Sequence, residues 1–418
     1  MPKTNTIQRR KFLQSLAVGA IAAPLATPAQ AAAEPSEWPK ETPSGIKITK
    51  VTPIAVPYAI YVKVETDAGI TGWGEADKDF RPLGVKVIND VLKKHVEGKD
   101  ALATDAIWNE MFFRSHDEGT HGMLSGAIAG IDNALWDLKG KILGLPVYKL
   151  LGGAFRKKIK VYGSFGVNMK SHEREKYGNA DKKSPAQMAE IATNFAEQGY
   201  TAIKVRMQIR QLNIDPNPDP SFATVKAVRE AVGDDMIIFF DANNGYTPHR
   251  AIEVVKELRE RYNIASIEEP VTMNNYHALA QVSEAVDVPV AVGEHEYTRW
   301  HFRDLITVGK ADILNPDLIK AGGMSECRKI AAVAQAFDKP VMVHNAYPMI
   351  GTAASMHFAA SVPNAAEYQE YVGPRLWQGL QKYFKNDIKF EDGHLYLPEG
   401  PGWGLEMDEE ALMKDRIN

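Results

Sequence analysis

Several features are scarce in this 418-residue chain, and each scarcity excludes a class of protein. Cys327 is the only cysteine, so no intramolecular disulfide can form and a disulfide-stapled fold is excluded. Basic and acidic residues nearly balance, 49 against 53, and the formal charge of −4 argues against a nucleic-acid-binding surface. What is present is globular: 44% hydrophobic and 24% charged residues, enough for two or three domains or for one large barrel with an accessory domain.

The N-terminus has the pattern of an export signal. Arg9-Arg10 precede Phe12-Leu13, an apolar stretch covers 16–25, and Ala29-Gln30-Ala31 resembles a cleavage site. The stretch is too short for a membrane span, and the paired arginines resemble a twin-arginine signal. We therefore predict a signal peptide at 1–31, a Pro- and Glu-rich linker at 32–45, a periplasmic location and no membrane attachment after cleavage.

Periodicity divides the remaining chain into three parts. Residues 46–152 read as a small α+β module, with a β-hairpin around 61–74 and helices near 83–96, 104–113 and 123–143. Residues 153–371 alternate short apolar runs with amphipathic helices, which predicts a parallel (β/α) barrel. Its eight predicted strands are 159–162, 202–205, 237–240, 265–267, 290–292, 313–314, 341–343 and 366–368. Residues 372–418, with a hairpin near 391–397, are predicted to pack on the N-terminal module.

Five ionisable residues stand at the ends of consecutive predicted strands. They are Asp241, Glu268, Glu294, Asp317 and His344, and they follow one another at intervals of 27, 26, 23 and 27 residues. Each interval is about one βα unit, and barrel active sites lie at the carboxyl ends of the strands. An isolated Asp at a strand end is usually a helix cap, but five groups in phase predict one common site.

The residue types indicate the chemistry of that site. Three neighbouring carboxylates, Asp241, Glu268 and Glu294, would repel one another, and a divalent cation is the simplest compensation. All-oxygen ligands favour Mg²⁺, with Mn²⁺ as the alternative. Asp317 and His344 fall on the next two strands, a spacing suited to a carboxylate that orients a general base.

Several motifs together resemble the enolase superfamily over essentially the whole chain after the leader. They are Asp241-Ala242-Asn243, Ile267-Glu268-Glu269-Pro270, Gly293-Glu294-His295, Asn315-Pro316-Asp317 with Gly322-Gly323, and the segment 130–141. The resemblance implies a modified (β/α)₇β TIM barrel under an α+β capping domain made of the N-terminal module and the C-terminal segment. It implies Mg²⁺ held by Asp241, Glu268 and Glu294, abstraction of the proton α to a carboxylate, and stabilisation of the enediolate on the metal.

The second and sixth strands indicate the subgroup and the reaction. An Asp at position 317, followed by His344, resembles the mandelate racemase subgroup, whose second strand normally supplies Lys-x-Lys. Here the motif is Lys204-Val205-Arg206, and arginine is a poor proton acceptor. With His344 as the one clear base, we predict dehydration of a sugar acid to a 2-keto-3-deoxy acid by a hydro-lyase. The alternatives are a racemase or epimerase that uses Lys204 as its second base, and a catalytically silent barrel that binds or senses sugar acids.

Three further site residues are predicted. Glu370, at the end of the eighth strand, resembles the superfamily's acid that hydrogen-bonds a substrate carboxylate oxygen, and Glu367 is the alternative if the strand register differs. Asn243 and His295 each stand beside a metal ligand and are candidates for contact with substrate. The expected partner is a small-molecule sugar acid, and we also expect a homo-oligomer.

Overall fold

The structure, a computed structural model, describes residues 45–168, 182–209, 213–373 and 379–417. The predicted signal peptide and all of the predicted linker except Gly45 lie outside the described residues. The N-terminal module begins with an antiparallel sheet of three strands in sequence order, β1 (Ile48–Val56), β2 (Ala59–Thr66) and β3 (Thr71–Ala76).

Four α-helices follow this sheet in the described part of the module. They are α1 (Leu83–Val87), α2 (Thr104–Arg114), α3 (Met123–Leu143) and the short α4 (Val147–Leu150). A π-helical turn at Ile88–Leu92 and a 3₁₀ turn at Lys93–His95 continue α1, so the segment predicted as one helix is irregular in its second half. Helix α3 lies directly on β3, where a β-carbon on Gly74 would come within 2.1 Å of the Gly130 carbonyl oxygen. Only glycine at position 74 permits this approach.

Six parallel strands form most of the barrel. They are β4 (Lys158–Gly166), β5 (Ala202–Arg206), β6 (Ile237–Asp241), β7 (Ser266–Glu268), β8 (Val290–Val292) and β9 (Ile313–Leu314), and each pairs with the next. Single bridges lead from Leu314 to Val341 and from Val341 to Ala365. Strand β10 (Tyr368–Tyr371) then pairs in parallel with β4, which closes the barrel. The predicted TIM barrel with an N-terminal capping domain is confirmed.

Two strand boundaries were predicted wrongly. The seventh strand, predicted at 341–343, is only a one-residue bridge, because the Val343 N–H donates to the Gln369 side chain at 2.7 Å and not to a neighbouring strand. The eighth strand, predicted at 366–368, is Tyr368–Tyr371. In the intervening turn, the Ala366 N–H donates to the Val341 carbonyl oxygen.

Helices alternate with the barrel strands. They are α5 (Pro185–Glu197), α6 (Ser221–Val232), α7 (Pro248–Tyr262), α8 (Tyr276–Ser283), α9 (Thr298–Thr307), α10 (Met324–Ala336) and α11 (Met349–Ser361). Local signals fix where they start: Ser184 forms a capping box with Gln187, and the Thr247 side chain caps α7. Because every strand runs in the same direction, all carboxyl ends meet at one rim.

The C-terminal segment contacts both parts of the fold. The hairpin of β11 (Phe390–Glu391) and β12 (His394–Tyr396) adds to the edge of β4 in the barrel, a pairing that the sequence did not predict. Further on, Trp403 reaches the N-terminal module, where its N–H donates to Asp137 at 2.9 Å and its indole N–H donates to the Trp73 carbonyl oxygen at 3.0 Å. Helix α12 (Glu409–Lys414) adds an ion pair from Glu409 to Lys63.

None of the helices in the described part of the chain is both long enough and apolar enough to cross a bilayer.

Candidate active site

Three carboxylates converge at the rim of the barrel. Asp241 ends β6, Glu268 ends β7, and Glu294 follows β8 by two residues. All three are buried, and one oxygen of each lies within 4.8 Å of the others. Burial, reinforced by the charge of Glu294, raises the pKa of Asp241 and raises that of Glu268 well above its usual value. Buried carboxylates this close together are normally paired with cationic side chains or coordinate a metal ion.

The residues at this point fit a divalent metal ion. The Oε2 atom of Glu268 is buried, and no hydrogen-bond partner reaches it from the residues that the structure describes. Three carboxylate oxygens without a thiolate form the donor set that Mg²⁺ and Mn²⁺ prefer. Asp241, Glu268 and Glu294 would hold the ion, as the sequence predicts. Glu269, Glu294 and His295 form a second, overlapping group of candidate ligands.

Asn243 orients one of the three carboxylates. Its backbone N–H donates to Asp241 Oδ1 at 2.7 Å, and its side-chain amide donates to Asp241 Oδ2 at 2.9 Å. The residue has a φ of 50°, a left-handed conformation that asparagine adopts more readily than most residues. Such hydrogen bonds to a metal ligand fix its orientation. The predicted contact between Asn243 and substrate stays a prediction.

His295, whose side chain is partly exposed, lies beside Glu294. Its Nε2 atom is 3.2 Å from Glu294 Oε1 and 3.7 Å from Glu269 Oε1. Burial would raise the pKa of Glu294, but His344, His295 and Lys320 outweigh burial and hold it well below its usual value. Glu294 is therefore ionised and available as a ligand.

Two cations of β5 lie among the carboxylates. Lys204 is completely buried, and its Nζ atom is 2.7 Å from Glu268 Oε1 and 3.0 Å from Glu370 Oε1. Burial opposes the charge of Lys204, but these carboxylates outweigh burial and hold its pKa well above the usual value. Arg206 lies next to Asp241, with 3.3 Å between Nε and Oδ2. Both side chains are held as cations, which suits charge stabilisation better than proton abstraction.

His344 and Asp317 form a buried dyad. The His344 Nδ1 atom is 2.7 Å from Asp317 Oδ2, and the Nε2 atom is 3.3 Å from Glu294 Oε2. A carboxylate on Nδ1 selects the tautomer that carries its proton there, which leaves a lone pair on Nε2. The Nε2 atom therefore presents a proton acceptor beside the candidate metal ligand Glu294, as a general base requires.

The structure places Glu370, and not Glu367, at the rim. Glu370 lies on β10, is buried, accepts the Asn345 N–H at 3.0 Å and has Oε2 3.9 Å from His344 Nε2. Glu367 precedes that strand and pairs with Lys160 on the surface. All ten predicted site residues are thus brought into one connected group of contacts.

Sequence reasoning missed a polar group that links the capping module to the rim. Asp77 directly follows β3, and its Oδ1 atom accepts a hydrogen bond from the Tyr347 hydroxyl at 3.0 Å. Lys320, three residues after Asp317, is nine-tenths buried. In the sequence, a lysine flanked by the apolar residues Ile319 and Ala321 is a signal that could have identified it. Asp77 had no comparable signal, since Tyr347 lies 270 positions away.

Comparison with known proteins agrees with the fold and the site. Residues 31–152 match the N-terminal domain of the mandelate racemase/muconate lactonizing enzyme family. Residues 187–411 match the C-terminal domain of the same family, which is described as enolase C-terminal domain-like. D-Xylonate dehydratase of Haloferax volcanii is 34% identical over 368 residues, 84% of each chain. D-Galactonate dehydratase of Pectobacterium atrosepticum is 33% identical over 381 residues, 89% of this chain and 95% of that one.

Solved structures give the same result. A mandelate racemase/muconate lactonizing protein from Paracoccus denitrificans, complexed with magnesium, superimposes with a TM-score of 0.81 at 31% identity, over 88% of this chain and 97% of that chain. The 3,6-anhydro-D-galactonate cycloisomerase of Zobellia galactanivorans gives a TM-score of 0.74 at 29% identity, over 89% of this chain and all of that one. The chain therefore belongs to the mandelate racemase/muconate lactonizing enzyme family of the enolase superfamily.

Proposed function

We propose that the protein is a Mg²⁺-dependent hydro-lyase that removes water from a sugar acid and yields a 2-keto-3-deoxy acid. The observation that carries the proposal is the His344–Asp317 dyad beside three converging carboxylates, because it combines one competent base with a cation site. Relatives named as D-xylonate and D-galactonate dehydratases, at 34% and 33% identity, support the same reaction class. These two acids are accordingly the first substrates to examine.

The chain's residues divide the work of this reaction. His344 Nε2 accepts the proton from C2 of the substrate, while Lys204 and Arg206 place positive charge near the substrate carboxylate. Mg²⁺, held by Asp241, Glu268 and Glu294, would stabilise the negative charge that develops on the carboxylate oxygens. The C3–O bond then breaks, and His344 returns its proton to the departing oxygen as water leaves. The resulting enol takes up a solvent proton at C3, releases its hydroxyl proton to solvent and becomes the 2-keto acid.

The epimerase alternative fits the contacts less well. A reaction that inverts C2 needs a proton acceptor on each face of that carbon. Lys204 is paired with both Glu268 and Glu370, and Arg206 stays protonated at any ordinary pH. A single base and two fixed cations favour elimination over inversion.

The direct test incubates the purified protein with Mg²⁺ and a panel of sugar acids that includes D-galactonate and D-xylonate. Formation of a 2-keto-3-deoxy acid, detected as its semicarbazone and by NMR, is the expected result. Interconversion of C2 epimers without loss of water would instead establish the epimerase. Ligand binding that depends on Mg²⁺, with no turnover on any panel member, would establish a silent binding barrel.

We also propose that the protein works in the periplasm after export through the twin-arginine route. The proposal is supported by the paired Arg9-Arg10, the apolar stretch 16–25 and Ala29-Gln30-Ala31.

A further inference from the structure

Lys320 is a buried cation whose charged end lacks a direct partner. Only 9% of the residue is exposed, yet no carboxylate oxygen in the described part of the chain lies within 4.0 Å of its Nζ atom, and no hydrogen bond from that atom is formed there. Buried ammonium groups are normally paired, because each unpaired donor retains the cost of leaving water. The arrangement of Lys320 therefore leaves its donors available to a ligand.

The neighbours of Lys320 place it on the base side of the site. Its backbone N–H donates to the Asp317 carbonyl oxygen at 3.1 Å, and the carboxylates whose charges act on its ammonium are those of Asp317, Glu294 and Asp77. Asp317 and Glu294 flank the two ring nitrogens of His344 at 2.7 and 3.3 Å. Asp77 comes from the capping module and is fixed by the Tyr347 hydroxyl. Lys320 thus lies where the base, a metal ligand and the cap meet.

This position determines which part of a substrate Lys320 can meet. The carboxylate and C2 of a sugar acid belong beside the three metal-binding carboxylates and His344. The rest of the carbon chain must then leave that cluster, and its hydroxyl groups lie between the rim and the cap. The first hydroxyl along this path is the one on C3, which is the group that departs during dehydration.

We propose that Lys320 binds the C3 hydroxyl of the sugar acid and assists its departure, an inference that rests on the dehydratase function proposed above. The ammonium keeps all its protons and acts as a hydrogen-bond donor. His344 takes the proton from C2, the C3–O bond breaks, and His344 supplies the proton that completes the water molecule. A donor fixed on the departing oxygen stabilises the charge that develops there, and removal of such a donor typically costs about 10²–10³-fold in kcat.

The test uses Lys320→Met in D₂O with Mg²⁺, on a sugar acid that the wild-type enzyme dehydrates and on the 3-deoxy form of the same acid. With the full substrate, kcat for water loss should fall about 10²–10³-fold, and deuterium should accumulate at C2 of the recovered substrate. The ratio of exchange to elimination should rise at least tenfold. With the 3-deoxy acid, C2 exchange should equal that of the wild type, because Lys320 has no hydroxyl to bind.

Two further variants keep the result interpretable. Lys320→Gln retains a donor without charge and should fall between the wild type and Lys320→Met. Lys139→Met, a half-buried lysine of the capping module that donates to the Leu102 carbonyl oxygen, should leave the exchange-to-elimination ratio unchanged. Equal loss of exchange and elimination on the full substrate in both Lys320 variants, with the same loss of exchange on the 3-deoxy acid, would overturn the inference and leave Lys320 a structural role. Absence of both reactions in the wild type would instead overturn the proposed function.

Discussion

The Nδ1 atom of His344 lies 2.7 Å from the Oδ2 atom of Asp317, although the two residues are 27 positions apart in the sequence. The contact exists because adjacent barrel strands bring their carboxyl ends together. It sets the tautomer of the imidazole and directs the free Nε2 lone pair towards the three converging carboxylates. The proton-transfer chemistry proposed here depends on that orientation.

Glu268→Gln should weaken Mg²⁺ binding strongly. The substitution removes one of three converging carboxylates, and loss of a group that only orients a ligand already costs about 10–100-fold in metal affinity. We expect a loss of at least about 100-fold by isothermal titration calorimetry. Glu367→Gln is the matched control, since Glu367 lies on the surface with Lys160 and should leave affinity unchanged. An unaltered affinity in Glu268→Gln would mean that the ion binds elsewhere.

The wild-type enzyme should not invert C2. Lys204 is fixed between Glu268 and Glu370 at 2.7 and 3.0 Å, so the face opposite His344 has no free amine to accept a proton. NMR analysis of substrate recovered from D₂O should therefore show no C2 epimer while the 2-keto product accumulates. An epimer that forms as fast as the product, and that disappears in Lys204→Met, would identify Lys204 as a second base.

His357 should make the fold sensitive to acid. Its Nδ1 atom accepts the Tyr148 N–H at 3.1 Å, its Nε2–H donates to the Trp403 carbonyl oxygen, and burial lowers its pKa from 6.5 to about 4. Above pH 6.5 the imidazole is neutral in both the native and the unfolded chain. As the pH falls from 6.5 to about 4, only the unfolded chain takes up the proton, so the free energy of unfolding decreases by about 3 kcal/mol in total.

Urea unfolding at pH 7, 6 and 5 measures this effect. His357→Gln should lose stability at pH 7 but show a shallower decline towards pH 5 than the wild type. His249→Gln removes a histidine whose side chain is 88% exposed and should keep the wild-type slope. Identical slopes for the wild type and His357→Gln would show that His357 does not cause the acid sensitivity.

Conversion of Arg9 and Arg10 to lysine should block export. A twin-arginine signal depends on the arginine pair and not on positive charge alone, so the double variant should remain in the cytoplasm. Cell fractionation followed by immunoblotting measures its distribution. Lys3→Gln, which changes charge outside the pair, should be exported normally. Periplasmic recovery of the double variant would exclude this route.

The rim of the barrel was predictable from sequence because it depends on one regularity. Strand ends spaced by about one βα unit become spatial neighbours, and Asp241, Glu268, Glu294 and His344 need no further information to be brought together. The barrel and the capping module followed from the same periodic pattern and from the family resemblance.

Features that depend on contacts between distant side chains were not predictable. The hydrogen bond from Tyr347 to Asp77 joins residues 270 positions apart and leaves no periodic trace. The seventh strand is reduced to a single bridge at Val341, because the Val343 N–H donates its hydrogen bond to the Gln369 side chain. The addition of β12 to β4 likewise depends on tertiary packing, which local propensity does not encode.

The most direct test of the account is the activity of His344→Asn, measured together with its Mg²⁺ affinity. General-base catalysis contributes about 10²–10⁴-fold, so formation of the 2-keto-3-deoxy acid should fall by at least about 10²-fold while Mg²⁺ affinity stays within a few-fold of the wild type. His249→Asn, on the surface, should match the wild type in both measurements. Turnover close to the wild-type rate in His344→Asn would show that another group removes the C2 proton, and it would contradict the mechanism.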